Sequence, residues 1–137
     1  MIFGLFGDKT ESEARQLNRD APLIIEQSEQ TYPPTRLRDM AEMIVEFIER
    51  AHVRYGTQEI DLKRAHHDYK SLHKEARRKN DQIELSAMTL VIIYIRAEIA
   101  GPLAAPAREA IDAFTGAWLS DGDAAASEGA EDGGPEG

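Results

Sequence analysis

The sequence predicts an all-α fold: an antiparallel helical bundle of four main helices, with an N-terminal helical arm before it and a disordered acidic C-terminal tail after it. Three observations lead there. Residues 85–95 are apolar except at Ser86 and Thr89, and a capping signal at Asp81 and the pair Gly101-Pro102 bracket them, as expected of a helix buried on nearly every side. Two earlier segments carry apolar residues at alternating steps of three and four, the spacing that winds them into one stripe along a helix. The breaks after Tyr55, Asn80 and Ala100 are so short that neighbouring helices must run antiparallel.

Taken in order, Thr10-Glu11-Ser12-Glu13 has the capping-box spacing, and Asp20-Ala21-Pro22 offers a second helix start, so residues 10–31 read as one kinked helix or two short ones. Tyr32-Pro33-Pro34 forces an extended break, after which Thr35 can cap the next helix. In that helix Leu37, Ala41, Ile44, Ile48, Ala51 and Tyr55 form the apolar stripe, Met40, Met43 and Phe47 widen it, and Gly56 ends it. Residues 57–80 follow, with a narrow seam of Leu62, Ala65, Tyr69, Leu72 and Ala76. Asp81 and Glu84 form a capping box for the buried helix, and Pro106 opens a last helix through Ala107, Ile111, Phe114 and Leu119. The organisation expected is an apolar N-terminal peptide and helical arm over 1–34, the bundle over 35–119 and the tail over 120–137. Four short helices hardly surround a fully apolar one, so a homodimer covering Met40, Met43, Phe47 or the last helix is an expected supplement.

The formal charge of −9 is unevenly placed. Asp121, Asp123, Glu128, Glu131, Asp132 and Glu136 all follow Ser120, where there is no Lys or Arg, and the remaining chain holds 19 acids against 16 bases. A segment of Ala, Gly, Ser, Asp and Glu has no large apolar side chain to anchor it. Cysteine is absent, which removes disulfides, thiolate nucleophiles and sulfur-ligated metals together and fits a cytoplasmic location. Residues 1–7 lack the positive leader of a secretory signal, and the apolar run of residues 85–95 is well short of the roughly 20 residues that cross a bilayer.

Two charged faces stand out. At 100° per residue, Lys63, His67, Lys70, Lys74 and Arg77 fall opposite the seam of residues 57–80, with Arg78 beside them, making a basic stripe. Asp39, Glu42, Glu46 and Glu49 lie opposite the apolar stripe of the preceding helix. Such stripes are commonly solvated faces, but the basic one can also dock an acidic partner: a protein, nucleic acid or the chain's own tail. Nucleic acid is the weakest of these, because the acidic tail competes with phosphates and only Tyr69, itself in the seam, offers a stacking ring.

Glu49-Arg50-Ala51-His52 has the Glu-x-x-His spacing by which ferritin-like bundles bind metal, which makes Glu49 and His52 the candidate ligands of an alternative, metal-binding reading. The motif occurs once, without the second copy that a two-metal site requires. His66 and His73 share a helix face but lie about 10.5 Å apart along the axis, too far to chelate one ion through bonds of about 2.1 Å. No nucleophile with a base and orienting acid can be assembled, and phosphate-loop and dinucleotide glycine patterns are missing. The apolar first residues, Ile2, Phe3, Leu5 and Phe6, can pack back on the bundle, plug a partner's groove or touch a membrane surface weakly. The expectation that results is a non-catalytic helical interaction module, an adaptor or regulator without a cofactor, that binds a protein through its charged faces or its N-terminal peptide.

Overall fold

In the computed structural model the backbone is described for residues 2–79 and 81–131, and side chains for 11–79 and 81–120. The helices are α1 (Ile2–Thr31), α2 (Pro34–Tyr55), α3 (Glu59–Lys79), α4 (Gln82–Ala100) and α5 (Ala105–Glu131), with a 3-10 turn, Gly101–Ala104, between the last two. No strand occurs among the described residues.

α4 lies at the centre and packs against all four other helices. Its fully or nearly fully buried residues are Ile83, Ala87, Met88, Leu90, Val91, Ile93, Ile95 and Ala97. At 100° per residue these positions spread over about 220° of the helix circumference, and Leu85, Thr89, Ile92 and Arg96 on the remaining side are half-buried. The other helices wrap α4 in the order α3, α2, α5, α1, and the described residues of α1 and α3 have no close backbone approach to each other. Pairings fix the directions. Arg96 meets Glu13 and Tyr32 meets Ser86, so α1 is antiparallel to α4; Asn18 meets Ala107 and Glu29 meets Trp118, so α1 and α5 are parallel.

The local signals operate as chemistry requires. The Asp81 side chain accepts a hydrogen bond from the Glu84 N–H at 3.0 Å and starts α4. The Asp81 N–H is itself taken by the Ala76 carbonyl, so the reciprocal half of a capping box is not needed. Gly56 (φ 106°) ends α2 and Gly101 (φ 87°) ends α4, both in backbone conformations that L side chains rarely adopt. α2 begins at Pro34 with Pro33 as N-cap and no side-chain cap, so Thr35 lies inside the first turn instead of capping it.

The N-terminal region differs most from the expectation. The starts read at Thr10 and Asp20 are both overrun by one continuous helix, with Pro22 in its interior. Ala14, Leu17, Ala21 and Ser28 are buried on both sides of Pro22, while the proline itself is exposed, so burial of one continuous stripe outweighs the lost N–H. Asn18 then clamps α1 to the far end of the chain: its Nδ2 donates to the Leu103 carbonyl and its Oδ1 accepts from the Ala107 N–H, both at 2.9 Å. That second bond caps the start of α5 from another helix.

α1 serves as a wall of the bundle alongside α2, α3 and α5. Met40 is entirely buried within the chain, and Met43 and Phe47 pack against the core. α5 is helical as far as Glu131, whereas the whole segment from residue 120 was expected to lack structure; side chains from residue 121 and all of residues 132–137 lie outside the described residues.

Truncation of Leu90, fully buried on α4, is expected to cost about 2–5 kcal/mol through lost burial and a residual cavity. Loss of the cap in Asp81→Ala should cost about 1 kcal/mol. Gly56→Ala should exceed Gly101→Ala, because a Cβ at position 56 would lie 2.5 Å from the Asp61 carboxylate and one at position 101 would meet nothing within 4 Å. Urea unfolding of the four variants tests that order.

Candidate functional site

The outward face of α3 carries the basic stripe as read. Lys63, His67, Lys70, Lys74, Arg77 and Arg78 are all exposed, while Leu62, Ala65, Tyr69 and Ala76 are buried on the opposite side. Among the described residues α3 touches only α4 and, along one flank, α2, which leaves this face free of them. Of the six, only Lys63 forms an ion pair with a described residue, Glu59 at 3.1 Å.

The acidic stripe of α2 is organised differently. Asp39 pairs with Arg36 at 3.0 Å, Glu42 with Arg38 at 3.8 Å, and Glu46 with Arg50, all within the helix. Intrahelical pairs of this kind add a few tenths of a kcal/mol each and cancel most of the field that the carboxylates would project. Glu49 is the exposed remainder. The two faces are therefore not equivalent: the acids of α2 are satisfied locally, and the bases of α3 are open to solvent.

Glu49 and His52 do not converge. The His52 imidazole turns away and its Nε2 donates to the Glu98 carboxylate of α4, at 2.9 and 3.0 Å from the two oxygens. Glu98 lies 46 positions from His52 in sequence, so no local motif could reveal it. Among the described residues, no group of three His, Asp or Glu is placed to hold a metal ion. Close to this pair, Tyr94 of α4 faces Asp112 of α5, and burial followed by the neighbouring carboxylate pushes the phenol up to about 12. Both arrangements tie α4 to its walls.

His66 and His73 sit on the inner edge of α3, half-buried against α4. The Thr89 hydroxyl donates to the Leu85 carbonyl at 2.8 Å, so it accepts from His73 Nε2 at 3.0 Å, and Nδ1 is left to titrate. Burial first, then the cations of Arg96 and Lys70, hold the His66 pKa below its usual value, with Glu13 opposing; burial and then Arg77 do the same at His73. Tyr69, the only ring that could stack on a base along the stripe, is buried with its hydroxyl donating to the Phe47 carbonyl at 2.9 Å. Tyr69 therefore offers no π-face to a base along the stripe. Side chains of the N-terminal set Ile2, Phe3, Leu5 and Phe6 lie outside the described residues, although the backbone from Ile2 onward belongs to α1.

No helix among the described residues is long and apolar enough to cross a membrane. Comparison with protein-family models, curated proteins and solved structures finds no match for this chain.

Two predictions separate structural from chemical roles. Glu49→Ala should leave stability within about 0.5 kcal/mol, as for an exposed surface residue. His52→Ala, which strands the half-buried Glu98 carboxylate, should cost about 1–3 kcal/mol by urea unfolding. For the histidines, unfolded imidazoles begin to take up protons near pH 6.5, above the lowered folded values, so the unfolded state binds more protons on acidification. Stability is complete above about pH 6.5 and falls as pH drops through the folded values. The fall in urea midpoint from about pH 7.5 to about pH 5 should be smaller in a His66→Gln, His73→Gln double variant.

Proposed function

We propose that this chain is a non-catalytic helical interaction module whose α3 outer face binds an acidic segment of a partner protein. The observation carrying this reading is the contrast between the two charged faces. Five of the six stripe residues, His67, Lys70, Lys74, Arg77 and Arg78, form no ion pair with a described residue, on a face that no other helix covers among the described residues. Like charges along one helix repel each other at a cost that folding of this chain does not recover. An incoming set of carboxylates removes that repulsion, adds charge-assisted hydrogen bonds and steers the encounter.

Protein is favoured over nucleic acid by two features. The Tyr69 ring of the stripe is buried and cannot stack on a base, and the overall charge of −9 repels a polyanion at long range, whereas a short acidic segment carries few charges to repel. The bundle supplies a rigid platform, since α3 is fixed to α4 along its whole apolar seam.

The test is a Lys70→Glu, Lys74→Glu, Arg77→Glu variant compared with wild type by affinity purification and mass spectrometry at low and moderate salt. All three residues are exposed, so the thermal midpoint should hardly move. At least one stoichiometric protein partner should be lost in the variant and weakened by salt in the wild type. An unchanged set of partners would remove the α3 face from recognition.

A further inference from the structure

At the start of α3 the basic face borders a cleft of about 430 Å³ lined by Tyr55 of α2 and by Ile60, Lys63, Arg64, His67 and Asp68 of α3. One large aliphatic side chain stands in the open here, Ile60 at 59% exposed, while Val53, 88% exposed on the last turn of α2, lies outside the lining and on the other side of that helix from Tyr55. Neither belongs to the stripe of its helix. Ile60 lies two residues, or 200°, from Leu62, and Val53 lies two residues from both Ala51 and Tyr55, so helix geometry turns them away from the core. Their exposure does nothing for the fold of this chain.

The polar side of the cleft is equally one-sided. Lys63, paired with Glu59 at 3.1 Å, and the guanidinium and imidazole of Arg64 and His67 supply the rim, while Asp68, the one carboxylate in the lining, already accepts a hydrogen bond from the Tyr55 hydroxyl. That bond is the largest cause of the raised Tyr55 pKa, which keeps the phenol protonated and donating. One face of the Tyr55 ring is covered by the Arg54 guanidinium, 5.6 Å from its centroid, which leaves less ring for a base to stack on. An apolar floor with a cationic rim is of no use to a bare phosphate chain, and a purely acidic tail would leave the floor wet.

We infer that this cleft is the anchor point of the α3 surface, and that it takes an acidic peptide segment carrying one aliphatic or aromatic side chain, which packs on Ile60 and Tyr55 while flanking carboxylates meet Lys63, Arg64 and His67. This rests on the reading of α3 as a docking face and adds to it the hot spot and the chemistry of the occupant. Interfaces concentrate their energy in such a water-excluding apolar contact within a charged surround.

The test selects a phage-displayed random dodecamer library on the full-length chain and follows the dominant peptide, fluorescein-labelled, by anisotropy. Enriched peptides should contain Leu, Ile, Met or Phe with two or more Asp or Glu nearby. Ile60→Ser and Arg64→Glu should each weaken the labelled peptide about tenfold or more, about 1.4 kcal/mol, with far-ultraviolet circular dichroism unchanged. Acidic peptides that lack an apolar residue, ignore Ile60→Ser and are lost in Lys70→Glu, Lys74→Glu would overturn the cleft while leaving the α3 face standing. No acidic enrichment would overturn both. An oligothymidylate that displaces the peptide and is itself weakened by Arg64→Glu would replace the peptide reading with a nucleic-acid one.

Discussion

The desolvation of α4 is the constraint from which the architecture follows. A helix whose buried residues spread over well more than half of its circumference cannot be satisfied by one neighbour, and no helix among the described residues is long and apolar enough to cross a membrane. Four helices of the same chain supply the surround, each contributing one apolar stripe. Every other helix is then obliged to put its polar residues outward, so the surface chemistry of the molecule is a consequence of how α4 is buried. The half-buried polar contacts to α4, His52 with Glu98, His73 with Thr89 and Glu13 with Arg96, fix the azimuth of the walls where apolar packing alone would let them rotate.

Charge is handled in two ways on adjoining helices. On α2 the acids are matched by arginines one turn away, which makes that face electrostatically quiet. On α3 the cations accumulate toward the C-terminus, where Arg77, Arg78 and Lys79 are favoured by the helix dipole, so the helix tolerates its own repulsion. Tolerance is not neutralisation. The field above α3 extends about a Debye length, roughly 8 Å at physiological salt, and is available to whatever approaches.

Much of this was legible in the sequence, and the reasons are physical. The apolar run of α4, the Asp81 cap and the glycines at 56 and 101 are local signals with local causes, so spacing alone reveals them. The seam of Leu62, Ala65, Tyr69 and Ala76 likewise placed the basic residues outward. The N-terminal region misled because Pro22 is a strong local breaker, and the burial of Ala14, Leu17 and Ala21 that overrides it depends on α4 and α5. The Glu98 partner of His52 and the cleft beside Ile60 were missed for different reasons. The first joins distant parts of the chain; the second had a signal, an apolar residue off its own helix's stripe, that a search for seams passes over.

Asn18 gives the fold a temporal order. Its two partners, Leu103 and Ala107, lie 85 and 89 residues further along the chain. On a ribosome, α2, α3 and α4 can pair through their tight turns as soon as each emerges and α1 can lie along α4, but the Asn18 clamp closes only once translation has passed the 3-10 corner. The register of α1 against the far end of the bundle is therefore fixed only when the start of α5 has arrived.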